Sequence, residues 1–158
     1  MSSILFVCLG NICRSTMAHA VLQHLVEQED LQDLISNVDS CGNVTQSATD
    51  WKALNLILER WQHSDNMARQ LSAHDFERFD FILAMDRSNL SNIKSMQPRG
   101  QIRASIHLFG DFGDRSMDAV VKDPYYDAGN LGFDKAYQQC LEFSKGLIHQ
   151  LQAHDSDP

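Results

Sequence analysis

Short apolar runs alternate along the chain with longer stretches in which apolar residues recur every three or four positions. The clearest run is 4–7, residues 79–84 are apolar except for Asp80, and further short segments that fit strands lie near 35–41 and at 106–109. Continuous apolar runs of this length are typical of parallel strands that are buried on both faces. The sequence therefore predicts four strands, the first at Ile4–Val7.

Helical spacing follows most of these runs. After Ser15, the apolar residues Met17, Val21 and Leu25 predict a helix, with Ser15 as its N-cap. Similar spacing predicts further helices over residues 50–61, 88–96 and 133–151. Strands that alternate with helices indicate an α/β fold with a parallel sheet. Ligands of such sheets bind beyond the carboxyl ends of the strands.

Length and composition limit the function classes. The chain has 158 residues, of which 43% are hydrophobic, so we expect a single domain over residues 1–158. No apolar run approaches the roughly 20 residues that span a membrane. The start of the sequence shows neither a basic leader nor a cleavage site, so we expect a cytoplasmic protein. A net charge of −8 gives no general attraction to nucleic acid or to anionic membranes.

Four cysteines occur, at positions 8, 13, 41 and 140. No pair has the spacing of zinc ligands, and a leaderless chain of this size does not need a disulfide framework. We expect neither a metal nor another cofactor, and we expect Cys41 and Cys140 to pack in the core.

The loop after the first predicted strand carries the strongest chemical signal. Cys8 is followed by five residues and then by Arg14. The backbone N–H groups of such a loop can surround one tetrahedral anion, toward which the next helix points its positive end. Arg14 adds a planar fork of donors for phosphoryl oxygens, and Gly10 and Asn11 tolerate left-handed backbone angles. The positive potential would favour the nucleophilic thiolate of Cys8, to which Ser15 could donate a hydrogen bond. The alternative is a structural cysteine followed by a chance arginine.

Residues 7–18 resemble the phosphate loop of the low-molecular-weight protein tyrosine phosphatases. Further similar segments lie at 75–80, 84–90, 123–126 and 132–133, so the resemblance covers nearly the whole chain. It implies a four-stranded parallel sheet flanked by helices, with the phosphate loop between the first strand and the first helix. It also implies hydrolysis of phosphotyrosine and small aryl phosphates through a phosphocysteine intermediate, without a cofactor. The implied partners are phosphotyrosine-containing proteins, and the implied state is a monomer or a weakly self-associating protein.

The resemblance assigns roles to individual residues. Cys8 is the expected nucleophile, Arg14 binds the phosphoryl group, and Asp123 is the general acid. The other residues expected to bind the phosphate are Leu9, Gly10, Asn11, Ile12, Cys13 and Ser15. Ser40 and Asn66 are expected to support this loop, and Gln46, Tyr125 and Tyr126 to form the rim of the pocket. A reversible disulfide between Cys8 and Cys13 is expected under oxidation.

The sequence departs from the family pattern at several positions. Thr16 replaces the usual proline and His19 replaces a glutamate. Gln46 stands where relatives place the aromatic wall of the phosphotyrosine pocket, and Trp51 is a possible substitute. Asn66 replaces a histidine that braces the loop in many animal relatives. These departures concern substrate choice rather than the chemical machinery.

Three alternatives remain. Arsenate reductase shares the fold but needs further cysteines in mid-chain, and none occurs between Cys41 and Cys140. Phosphoarginine phosphatase is the second, and bacterial enzymes of that type resemble this loop but carry threonine in place of the bulkier Ile12. A weakly active or non-catalytic phosphotyrosine-binding module is the third, and turnover of an aryl phosphate would separate it from an enzyme.

Overall fold

The strands and helices alternate along most of the described chain. A computed structural model describes residues 1–10, 14–43, 69–124 and 131–155. Its elements are, in order, β1 (Ser2–Cys8), α1 (Arg14–Gln28), β2 (Ile35–Gly42), α2 (Asp75–Arg78), β3 (Phe81–Ala84), α3 (Arg87–Met96), β4 (Ser105–Leu108), a 3₁₀ helix (Phe109–Phe112) and α4 (Leu131–Asp155).

The sheet has four parallel strands in the order β2-β1-β3-β4. The predicted α/β fold with a four-stranded parallel sheet flanked by helices is therefore confirmed. β1 lies inside the sheet, and its last residue, Cys8, pairs with Gly42 of β2. On the other side, Val7 pairs with Ala84 of β3. The carboxyl ends of three strands thus meet beside Cys8, at the edge where α/β sheets bind ligands.

The two faces of β1 enter two separate apolar cores. Ile4 and Phe6 point toward α1 and α4, whereas Leu5 and Val7 point toward α2 and α3. The first core also contains Leu22, Phe109, Phe143 and Leu147. Residues 4–7, in the middle of β1, are fully buried, which explains why this part of the strand reads as an unbroken apolar run.

The predicted starts of the described strands and helices lie within two residues of the observed ones. β3 begins at Phe81 rather than at residue 79, because Phe79 ends α2 and the Asp80 carboxylate accepts hydrogen bonds from the backbone N–H and hydroxyl of Ser3. The prediction that Ser15 caps α1 is wrong, since the helix already includes Arg14. The helix predicted over residues 50–61 lies outside the described residues. Within the described ranges, no helix is long and apolar enough to cross a membrane.

Candidate active site

Cys8 ends β1 and lies next to the first turn of α1. The residue is almost completely buried, and its Sγ is 3.0 Å from the hydroxyl oxygen of Ser15, with either atom able to donate. The Cys8 carbonyl accepts a hydrogen bond from the backbone N–H of Asn43 at 3.0 Å. The thiol is therefore held between a fixed strand end and the amino end of a 15-residue helix, whose dipole favours negative charge there.

Arg14 is a nearly buried cation at the start of α1. Only 4% of the residue is exposed. Its Nη1 donates to Oδ2 of Asp86 and, at 3.0 Å, to the Val121 carbonyl, while its Nη2 lies 3.9 Å from Oδ2 of Asp123. Burial by itself lowers the pKa of Arg14, but the hydrogen bond and charge of Asp86, together with Cys8 and Asp123, raise that pKa above its ordinary value. The guanidinium therefore stays charged and is fixed from one side.

Asp86 is a site residue that the sequence prediction missed. It is the N-cap of α3, and its Oδ1 accepts a hydrogen bond from the Asn89 backbone N–H at 2.7 Å. Its other oxygen accepts from Arg14. The capping role is visible in sequence, because aspartate is a preferred N-cap. The sequence does not reveal that Asp86 pairs with Arg14, which lies 72 positions away.

Asp123 lies in the segment that follows the 3₁₀ helix. Its side chain is 31% exposed, so it borders both solvent and the guanidinium of Arg14. The segment is anchored two residues earlier, where the Val121 N–H donates to the Met85 carbonyl at 2.9 Å. The structure thus brings a carboxylate to the same guanidinium that lies beside Cys8.

His19 of α1 contacts Ser40 of β2. Nδ1 of His19 is 3.3 Å from the hydroxyl oxygen of Ser40. Ser40 pairs with Phe6 in the sheet, two residues before the position opposite Cys8. Burial lowers the pKa of His19, and the negative charge of Asp39 opposes that shift only in part.

The remaining predicted positions divide into two groups. Leu9 is 42% exposed beside Cys8, and Gly10 is buried. The other predicted positions lie outside the described residues, as does the predicted disulfide between Cys8 and Cys13. These positions are Asn11, Ile12, Cys13, Gln46, Asn66, Tyr125 and Tyr126.

The other two described cysteines belong to the core, as predicted. Cys41 and Cys140 are both fully buried. Burial raises the pKa of the Cys140 thiol to about 12 and also raises that of Cys41. Within the described part of the chain, no group of three or more His, Cys, Asp or Glu residues is placed to hold a metal ion.

Comparison with known proteins agrees with this geometry. The model of the family described as low molecular weight phosphotyrosine protein phosphatase matches residues 3–156. A relative of that name from Schizosaccharomyces pombe is 40% identical over 151 residues, which cover 94% of this chain and 96% of the relative. Another from Rattus norvegicus is 38% identical, with 94% of both chains covered.

Two solved structures extend the comparison. A low molecular weight phosphotyrosine phosphatase from Vibrio cholerae has a TM-score of 0.85 and 30% identity, and the match covers 98% of this chain and 99% of that one. A structure titled as a Drosophila arginine phosphatase has a TM-score of 0.84 and 37% identity, with complete coverage of both chains. The fold and these matches define a hydrolase of the protein tyrosine phosphatase class. The chain belongs to the low molecular weight phosphotyrosine protein phosphatase family.

Proposed function

We propose that this protein hydrolyses phosphotyrosine in proteins, and small aryl phosphates, through a phosphocysteine intermediate. One observation carries the proposal: Arg14 lies against Asp123 at one edge of the sheet, next to the Cys8 and Ser15 pair. A nucleophile, an anion-binding cation and a proton donor are the three groups that this reaction requires.

In the first half-reaction, the Cys8 thiolate attacks phosphorus and forms an S–P bond. The bond from phosphorus to the phenolic oxygen breaks, and that oxygen takes a proton from Asp123. The Ser15 hydroxyl, 3.0 Å from the sulfur, can stabilise the thiolate before attack. Tyrosine leaves with its hydroxyl restored, and Asp123 is left as a carboxylate.

In the second half-reaction, water attacks the phosphocysteine. The Asp123 carboxylate takes one proton from the water as its oxygen bonds to phosphorus. The S–P bond breaks, the electron pair returns to the Cys8 sulfur, and inorganic phosphate is released. Asp123 is thereby protonated again, so the cycle needs neither a redox partner nor a metal.

Arg14 supplies electrostatic stabilisation in both half-reactions. Because Nη1 is occupied by Asp86 and Val121, the Nη2 side of the guanidinium remains directed toward Asp123 and the phosphoryl site. A donor fixed in place before the reaction does not have to reorganise as charge develops in the transition state. The backbone N–H groups of the loop from Leu9 to Ser15 are proposed to bind the remaining phosphoryl oxygens.

Phosphoarginine is a second candidate substrate, because the solved relative with complete coverage is titled an arginine phosphatase. The reaction would break a P–N bond with the same nucleophile. The bulkier Ile12, where bacterial phosphoarginine phosphatases carry threonine, favours an aryl phosphate. Leu9, which is exposed beside Cys8, offers an apolar surface to a phenyl ring.

The experiment compares turnover of matched phosphotyrosine and phosphoarginine peptides by the parent protein, Cys8→Ser and Asp123→Asn. We expect the phosphotyrosine peptide to be preferred and Cys8→Ser to be inactive. Asp123→Asn should lower kcat for phosphotyrosine by roughly 10²–10⁴-fold, the usual contribution of general acid catalysis. The loss should be smaller for p-nitrophenyl phosphate, whose leaving group needs less protonation.

Asp111→Asn is the matched control, since Asp111 is exposed on the 3₁₀ helix. Turnover by Cys8→Ser would contradict the mechanism. Tight binding of phosphotyrosine peptides by the parent protein without turnover would instead support a regulatory binding module. Faster hydrolysis of the phosphoarginine peptide would reverse the substrate assignment.

A further inference from the structure

Gln139 of α4 is a buried polar residue that the proposed chemistry does not use. Only 1% of it is exposed. Its Nε2 donates to the Asp118 carbonyl at 2.8 Å and to the Val120 carbonyl at 2.9 Å. Both hydrogens of the amide are therefore used on the backbone of one segment, residues 118–121, which we call the anchor segment.

The anchor segment connects α4 with the candidate active site. The Val121 carbonyl accepts from Nη1 of Arg14 at 3.0 Å, and the Val121 N–H donates to the Met85 carbonyl at 2.9 Å. Asp123 follows two residues later. Three carbonyls of the anchor segment, those of residues 118, 120 and 121, thus receive donors from two different helices.

Packing leaves the anchor segment little room to move. A Cβ at Gly110 would lie 1.9 Å from the Ala119 carbonyl oxygen, so the 3₁₀ helix and the anchor segment are in backbone contact there. Oδ1 of Asp118 accepts a hydrogen bond from the Val120 N–H at 3.0 Å, and Val121 is fully buried. The segment therefore has a defined position, and Gln139 holds it from the side of α4.

We propose that Gln139 is a positioning residue for Arg14 and Asp123. By fixing the anchor segment, it places the Val121 carbonyl where that group holds Nη1 of Arg14 and leaves Nη2 directed at the phosphoryl site. The same contact sets the start of the short stretch that carries Asp123. This inference rests on the proposed function, because it concerns the residues that perform that reaction.

The chemistry of the site requires an amide at this position. Two carbonyl oxygens need two N–H donors, and a buried position does not tolerate an unpaired charge. Methionine would fill a similar volume without a donor. Glutamate keeps the shape, but it donates one hydrogen bond when protonated and none when ionised, and its ionised form would face two carbonyl oxygens.

The Gln139→Glu variant tests whether two N–H donors are needed at this position, because the number of hydrogen bonds that glutamate donates depends on pH. Its matched control is Gln138→Glu, which places the same charge one residue earlier on the exposed face of α4. The charged groups on the anchor segment and around the guanidinium are the same in both variants. They include Asp118, Asp123, Arg14 and Asp86. The readout is kcat and KM for p-nitrophenyl phosphate as a function of pH.

We expect the ratio of kcat for Gln139→Glu to kcat for Gln138→Glu to fall as pH rises from about 5 to about 8, because burial raises the pKa of the new carboxyl into this interval. At the upper end the loss should be about tenfold or more, the size of a hydrogen bond lost next to a buried group. Gln139→Met should lower kcat by a similar factor at every pH, with an unchanged profile. A residue that only filled the core would lower stability without giving this pH-dependent ratio.

Parallel pH profiles for Gln139→Glu and Gln138→Glu, or full activity of Gln139→Met at pH 7, would overturn the proposal. Circular dichroism is the check that each variant is folded, and Gln139→Met remains decisive if Gln139→Glu unfolds. If the parent protein turned over no phosphate ester, the proposed function would fail separately. Calorimetric titration with vanadate would then test the positioning of Arg14, because the same pH-dependent loss of affinity is expected in Gln139→Glu.

Discussion

At the scale of single residues, His19 makes stability depend on pH. The unfolded chain protonates this histidine near its ordinary pKa of 6.5, whereas burial lowers the pKa in the folded state and Asp39 opposes this only in part. Between the two values the unfolded state binds more protons, so the free energy of unfolding falls as pH is lowered from 6.5 toward the folded-state pKa. We expect urea unfolding to require less denaturant at about pH 5.5 than at about pH 7.5.

The His19→Gln variant should reduce this difference, because glutamine does not titrate and can still hydrogen-bond the Ser40 hydroxyl. His149→Gln, at an exposed position of α4, controls for the loss of an imidazole. If His19→Gln kept the full pH dependence of the parent protein, another group would have to be its source.

Single residues also show which part of the site was predictable. The sequence pointed to Cys8, Arg14 and Ser15 because their spacing is local, within one loop between a strand and a helix, and the structure places the Ser15 hydroxyl 3.0 Å from the Cys8 sulfur. Asp86 and Gln139 were missed because their partners are 72 and about 20 positions away. An aspartate before a helix and a glutamine inside one have ordinary local explanations, as a cap and as a helix former. Only the tertiary fold shows that each holds part of the site.

At the scale of elements, Arg69 links β2 to the start of α2 through ion pairs with Asp39 and Asp75. Its guanidinium donates to both carboxylate oxygens of Asp75 at 3.0 and 3.1 Å and to Asp39 of β2 at 2.8 Å. Burial by itself raises the pKa of Asp75, but hydrogen bonds from Arg69 and Ser72 outweigh it and hold that pKa below its ordinary value. The pair therefore stabilises the fold above about pH 4, and the contribution is lost as pH falls through the folded-state pKa of Asp75.

We expect Arg69→Met to lower the free energy of unfolding by about 2–3 kcal/mol, because it leaves the buried carboxylate of Asp75 without its cation. This is below the cost of breaking a fully buried pair, since a third of the Arg69 side chain is exposed. Arg103→Met is the matched control, because Arg103 binds Asp80 at a similar distance of 2.7 Å but is 57% exposed. Its urea midpoint should remain close to that of the parent protein. Equal losses of unfolding free energy in Arg69→Met and Arg103→Met would show that burial of the ion pair does not determine the cost of removing the arginine.

The elements themselves were predicted with unequal success. The fully buried strand β1 gives an unbroken apolar run, so its centre at Ile4–Val7 was predicted, although the strand extends over Ser2–Cys8. The four-residue helix α2 was missed, because one turn of helix gives no measurable periodicity. Its place in the fold comes from hydrogen bonds to Asp75 at its first residue, from Arg69 and Ser72, which depend on tertiary structure.

At the scale of the whole molecule, α4 closes the fold through very close packing. A Cβ at Gly146 would lie 1.8 Å from the Phe112 carbonyl oxygen. Gly146→Ala would ordinarily stabilise a helix by about 1 kcal/mol, but here we expect a net loss of about 1–3 kcal/mol because α4 must move away from the 3₁₀ helix. Lys145→Ala, at an exposed neighbouring position, is the control. A rise in the melting temperature of Gly146→Ala would mean that the contact relaxes easily.

Several properties of the whole molecule stay predictions. These are the single-domain organisation over residues 1–158, the monomeric or weakly associating state and the cytoplasmic location. Sedimentation of the full chain at two concentrations would test the second. Composition and charge suggest such properties but do not encode them in any local pattern.

The position of β1 inside the sheet has a consequence for synthesis. This strand leaves the ribosome before both of its partners, β3 comes much later than β2, and α1 packs against the last described helix, α4. At roughly 5–20 residues per second, translation from the end of α1 to the end of α4 takes on the order of ten seconds. During that interval β1, an apolar segment, lacks the cover that α4 gives to Ile4 and Phe6. We expect a ribosome-bound chain halted before α4 to expose this segment to chaperones and to remain unable to bind phosphate, whereas a chain that includes α4 can complete the first core.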